Sequence, residues 1–223
     1  MADSSKILFA GDPHGDFEPL ISAVKKHQPE AAVLLGDYEL KKPLQDYIQE
    51  IIGETKIWWI PGNHDFDPPE HYHNLFSSQL AEQSLHLKVV DIAGVKVAGL
   101  GGIFLGRVWY PPHSPKWKSK RHYLNSLPVS VESTEISLKY QSAIWQDEWA
   151  ELKKLKADIL VTHEGPRSHR HGFIAIDQLA EAMGVKKVFH GHLHEHYSAR
   201  IRNGIQVFGV RNAKVVDLLG NEL

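Results

Sequence analysis

Five short motifs in this chain carry residue types that hold metal ions: GDPHGD at 11–16, GDYE at 36–39, GNHD at 62–65, THEGP at 162–166 and HGHLH at 190–194. Each follows an apolar run that reads as a β-strand, and open α/β sheets bind ligands beyond the carboxyl ends of their strands. Together the motifs offer Asp12, His14, Asp37, Asn63, His163, His192 and His194 as ligands. This donor set is nitrogen and oxygen throughout, and the chain contains no cysteine, so neither a thiolate ligand nor a disulfide enters the chemistry. Seven donors are too many for one four-coordinate ion with an open position, and they suit two. Two divalent cations against two aspartates leave about +2, which a hydroxide and a phosphoryl group would balance; paired metals ~3.5–4 Å apart are a known clamp for in-line displacement at phosphorus. Mixed His, Asp and Asn donors favour a transition metal over Ca²⁺ or Mg²⁺. Mn²⁺ is the first expectation, with Fe, Zn and Ni as alternatives. In extended backbone Asp12 and His14 project to one side, as do His192 and His194, so each pair can grip one ion.

The elements that must position these residues follow from hydrophobic periodicity. KILFAG (6–11), AAVLLG (31–36) and KIWWIPG read as parallel strands buried on both faces. Between them, Phe17, Leu20, Ile21 and Val24 recur at helical spacing, and a second helix is expected from Pro43 to Ile52. A polar segment rich in His and Pro (67–84) precedes a hairpin turning near Ala93 and Gly94. Residues 102–136 lack clean periodicity and read as an inserted, lid-like excursion. Beyond it come a helix near 137–156, the strand DILVTH, a helix IDQLAEAM stopped by Gly184, and the strand KVFHGH. YSARIR, IQVFGV and AKVVDLL are expected to be antiparallel, with Asn203-Gly204 as a two-residue turn. Trp58 with Trp59, and Trp145 with Trp149, read as core.

Bulk composition narrows the class further. With 223 residues the chain is expected to form a single domain, 1–223, and a formal net charge of −2 excludes a strongly basic nucleic-acid coat. Apolar and charged content of 42% and 23% exclude collagen, coiled coil and wholesale disorder. The N-terminus does not read as a secretory signal, and no apolar stretch reads as a membrane helix, so a cytoplasmic location is expected. Histidine is the abnormal count, its 15 residues equalling the 8 Phe and 7 Tyr combined.

The series D-x-H, GD, GNH(D/E), H and GHxH resembles the calcineurin-like metallophosphoesterases, and the resemblance spans residues 11 to 194. It implies an α/β fold, a four-layer α/β/β/α sandwich of mixed sheets flanked by helices, with the metal site at the carboxyl ends of the strands. Carried over by position, it implies that Asp12, His14, Asp37 and His194 hold the first ion, and that Asn63, His163 and His192 complete the second, with Asp37 bridging. His64 matches the non-ligand histidine that assists departure of the leaving oxygen, while a hydroxide shared by the ions attacks phosphorus in line. One stretch departs from the serine/threonine protein phosphatases of this superfamily, which read GDxVDRG where this chain reads GDYELKK. Leu40 and Lys41 stand in place of the Asp that orients the catalytic histidine and the Arg that meets phosphate. Glu39, one residue earlier, is a substitute that strand alternation would aim differently. The expected activity is therefore phosphatase or phosphodiesterase action on a phosphoester.

Arg167, Arg170 and His169 follow His163 closely and are candidate substrate contacts, a forked guanidinium being suited to phosphate. The stretch RVWYPPHSPKWKSKRHY (107–123) interleaves Trp109, Tyr110, Trp117 and Tyr123 with basic residues, the combination that stacks bases in single-stranded nucleic-acid binders. It supports a nuclease as the alternative enzyme, although a lid over a smaller phosphoester is favoured, and homo-oligomer contact is a further reading of this loop. A non-catalytic protein-binding scaffold of the same fold is the alternative outside enzymes.

Overall fold

The structure, a computed structural model, describes residues 4–127 and 136–223, so Pro128 and the end of the expected excursion lie outside it. The first three apolar runs form β1 (Ile7–Ala10), β2 (Ala31–Leu34) and β3 (Lys56–Trp59), parallel and in continuous register. Between β1 and β2 lies α1 (Glu18–His27), with Pro in its first turn and basic residues in its last, where they favour the helix dipole. The helix expected at 43–52 shrinks to α2 (Leu44–Tyr47). Ile48 and Ile51 are both fully buried, and the chain tightens into short turns to bring them into the core. The segment 67–84 holds α3 (Pro69–Phe76), which its His- and Pro-rich composition hides although Pro and Glu occupy the first turn.

The hairpin of β4 (Val89–Ile92) and β5 (Val95–Leu100) turns at Ala93 and Gly94, whose φ values of 52° and 78° suit a tight turn matching strand twist. The stretch after β5 contains α4 (Lys120–Asn125), N-capped by Ser119. In place of one helix at 137–156 there are α5 (Leu138–Gln141) and α6 (Gln146–Leu152). Ile103 draws the intervening residues into extended pairing, the Ile144 N–H donating to its carbonyl at 2.8 Å, and this buries Ile144 and Trp145. The remaining elements are β6 (Ile159–Thr162), α7 (Ile174–Met183) stopped by a left-handed Gly184, β7 (Lys187–His190), β8 (Tyr197–Arg200), β9 (Gln206–Gly209) and β10 (Val215–Val216).

Two sheets result, ordered β10-β1-β2-β3 and β4-β5-β6-β7-β9-β8. Two expectations about the C-terminal strands fail. The β8–β9 turn spans three residues, Arg202–Gly204, and AKVVDLL supplies only β10, which leaves the others and pairs antiparallel with β1 in the opposite sheet. Period-two alternation explains the layers. Ile7, Phe9 and Val33 face Val161, Phe189 and Phe208 between the sheets, with Phe9 stacked on Phe189 at 3.8 Å. Leu8, Ala32 and Leu34 pack outward against α1, while Leu160 and Val188 pack outward against α6 and α7. This is the expected α/β/β/α sandwich, and all four tryptophans assigned to core are buried. Trp109 also enters the outer core, 6% exposed and edge-on to Phe104 and Trp149, so its face is not offered to a base. Among the described residues no helix is long and apolar enough to cross a membrane.

His86 supplies a pH test of this packing. Its Nδ1 accepts the Gly101 N–H at 3.0 Å, and burial, aided by Lys120 and Lys88, pushes its pKa down to about 4. A ring neutral in the folded chain but protonated in the unfolded one stabilises the fold above pH ~6.5, and that stability is lost as pH falls towards 4. Urea titrations at pH 7 and 4.5 are expected to show the wild type losing on the order of 2–3 kcal/mol more than His86→Gln.

Candidate metal centre

The carboxyl ends of β1, β2 and β3 in one sheet meet those of β6 and β7 in the other. His163, immediately after β6, places Nε2 3.3 Å from Asp37 Oδ2 and 3.3 Å from Asn63 Oδ1. His194 Nε2 lies 3.4 Å from His14 Nε2 and 3.5 Å from Asp12 Oδ2. All seven expected ligands thus converge, although they come from positions up to 182 residues apart (12 and 194). Two groups with donor atoms mutually within 4.8 Å are present among the described residues: His14, Asp37 and His194, and Asp37, His163 and His192. Asp37 belongs to both.

Backbone conformation, and not strand alternation, sets which of His192 and His194 joins which group. His14, Asp37, His192 and His194 have φ of 44°, 55°, 64° and 55°, in the left-handed region, so strand alternation does not govern where they point. His192 and His194 consequently fall in different groups. Each such non-glycine residue costs on the order of 1–3 kcal/mol and persists only where its surroundings over-determine it. Here those surroundings are close backbone contacts: a Cβ on Gly62 would collide with Asp37 Oδ1, and one on Gly191 with Asp12 Oδ1.

Asp65, which sequence reasoning left without a role, holds the loops together. Its buried carboxylate accepts the N–H groups of Asp37 (2.9 Å), Tyr38 (2.7 Å) and Gly62 (2.7 Å). The available signal was an acidic residue three after the turn glycine of GNHD. Asp65→Ala leaves three buried donors unpaired, and a loss of about 3 kcal/mol or more in denaturant unfolding is expected. Glu39 also gains a place. Its φ of 53° turns it away from the direction alternation implies, and Oε1 lies 2.9 Å from His14 Nδ1 and 3.3 Å from His64 Nδ1. Leu40, at the departure from GDxVDRG, is fully buried in the outer core. His64 itself is half-exposed, and its N–H donates to Asp37 Oδ1 at 2.8 Å.

The three expected substrate contacts lie outside this cluster. Arg170 is exposed and pairs with Glu195 at 3.7 Å, His169 is buried with Nε2 3.1 Å from Glu195, and the Arg167 backbone donates to Asp177. Beneath that loop, buried His190 lies 2.7 Å from the Tyr197 hydroxyl.

Electrostatics at the centre are short of positive charge. Asp12 and Asp37 bring two carboxylates to a buried place where one imidazole, His163, lies between them. Burial opposes charge on His163, but the carboxylates of Asp37 and Asp12 prevail and raise it to about 10. Burial also opposes charge on Asp37, yet His163 holds it below the usual carboxylate range; burial pushes Asp12 up to about 6. Asp12 Oδ1 is buried with no hydrogen-bond partner. A buried carboxylate oxygen without a donor, in an all-N/O cluster, fits a divalent cation.

The sequence model of the calcineurin-like phosphoesterases matches residues 5–196. The chain belongs to that family. It is a metallophosphoesterase, a hydrolase acting on phosphate esters, and its family implies a dinuclear divalent metal site. The phosphoesterase is 35% identical over 218 residues to an uncharacterized protein of Haemophilus influenzae, covering 97% of this chain and 96% of that one. Its fold is similar to a dimetal phosphatase from Danio rerio (TM-score 0.57, 13% identity, 96% of this chain and 93% of that one). It is also similar to a 5'-nucleotidase from Candida albicans (TM-score 0.52, 13% identity, 95% of this chain and 47% of that one).

Proposed function

We propose that this phosphoesterase cleaves phosphate monoesters or diesters by in-line displacement, with His64 protonating the leaving oxygen. Asp12, His14, Asp37 and His194 would hold one divalent ion, and Asp37, Asn63, His163 and His192 the other, with Mn²⁺ the first choice. The observation that carries this reading is the pair of donor groups sharing Asp37. When bound, the ions supply positive charge to the phosphoryl oxygens and make water acidic enough to furnish a nucleophile at neutral pH. The residues of the chain do the rest. His64 is half-exposed at the mouth, where a substrate can reach it, and Glu39 beside Nδ1 holds the ring so that Nε2 is the atom free to deliver a proton. The Asp37 carboxylate fixes the His64 backbone through its 2.8 Å hydrogen bond, tying the proton donor to the ligand loop.

Protein stripped of metal and reloaded with Mn²⁺ is expected to hydrolyse a nitrophenyl phosphate monoester, the corresponding diester, or both, and the stripped protein neither. Inactivity of the reloaded protein on both esters sinks the proposal.

A further inference from the structure

Beside His64 lies a cavity of about 230 Å³ that the chemistry above leaves without a role. Asn63 and His64 line it, Phe66, Ile103 and Leu105 supply apolar walls, and Lys139 and Asp67 bring opposite charges. We propose that this cavity receives the leaving alcohol, and that the alcohol has an apolar body of about one ring. The assignment rests on the proton-donor role given to His64. If His64 protonates the leaving oxygen, the atoms attached to that oxygen begin at His64 and need room next to it. The cavity is that room.

Size and wall chemistry set the class. A cavity of about 150 Å³ lined by apolar side chains holds benzene, and sites for drug-sized ligands run from roughly 300 to 1,000 Å³. The volume here accommodates a single ring with a short substituent. The walls are built before any substrate arrives. Ile103 is held by its N–H to Ser142 and by the Ile144 N–H to its own carbonyl, at 2.9 and 2.8 Å. The Leu105 carbonyl accepts the N–H groups of Val108 and Trp109 at 2.7 and 2.9 Å, and Phe66 packs on Tyr72 and Phe76. Ile103 and Leu105 thus serve as fixed apolar walls, and a preformed pocket needs little reorganisation to bind.

Benzyl and ethyl phosphate release primary alcohols, so comparing them isolates fit in the pocket more than leaving-group chemistry. Using the Mn²⁺-reloaded full chain, kcat/KM is expected to favour benzyl phosphate by about 10- to 100-fold, the worth of burying one ring. Leu105→Trp, which fills the cavity, should bring that ratio below about threefold. Leu105→Ala, which enlarges it, should move the preference towards naphthylmethyl phosphate. Equal kcat/KM for the two esters, or a ratio unchanged in both variants, overturns the pocket assignment while leaving the phosphoesterase centre standing. Hydrolysis of neither ester by the wild type overturns the centre and the pocket together.

Discussion

Asp37→Asn is expected to strip the centre of both ions and to lower turnover by more than about 10³-fold, equivalent to ~4 kcal/mol of transition-state stabilisation. Asp37 is the residue common to both donor groups, so losing its charge weakens two sites at once. Asn retains an oxygen that can accept the His64 N–H now bonded at 2.8 Å, so the fold and the His64 loop should survive. The variant separates ligand loss from unfolding. Metal analysis after dialysis should find two ions per wild-type chain and fewer than one per variant chain, with unchanged far-UV circular dichroism. A variant that keeps two ions and turns over within tenfold of wild type would contradict the shared-ligand reading.

His64→Ala is expected to do the opposite: retain both ions and lose about 10²–10⁴-fold in kcat, with the loss falling on poor leaving groups. A nitrophenolate leaves readily without a proton, whereas an alkoxide does not, so a plot of rate against leaving-group pKa should steepen. Glu39→Gln acts through the same ring and is expected to cost about tenfold in the same direction. Combined with His64→Ala, it should add little, because a positioning residue has nothing left to position. Metal content belongs in both measurements, since Glu39 Oε1 also lies 2.9 Å from His14 Nδ1. Equal loss of metal and turnover in His64→Ala would make His64 a ligand or a structural residue.

Much of this centre was legible because its signals are local. A run such as AAVLLG specifies a strand buried on both faces, and a motif following it is carried to the carboxyl edge whatever the rest of the chain does. Ligand types, the all-N/O character of the site and the family resemblance therefore lie within stretches of two to six residues. The Ala93-Gly94 turn and the Gly184 helix stop were readable for the same reason.

Non-local contacts decided the remainder. The break between α5 and α6 depends on Ile103, about forty residues upstream, offering backbone partners to 142–144. No helical pattern within 137–156 records that competition. β10 joins the opposite sheet because Phe9 and Ala10 present an unpaired edge to Val215 and Val216. The role of Asp65 and the aim of Glu39 were hidden because left-handed backbone at Asp37 and Glu39 cancels strand alternation, and that conformation is sustained by contacts made only once the β2, β3 and β6 loops meet. By itself the sequence determined which atoms are available to a metal and at which edge of the fold they gather. Tertiary structure decided what holds His64, and that Trp109 packs into the core while Leu105 walls a cavity. Donor chemistry is a property of a residue, whereas orientation and enclosure are properties of everything packed around it.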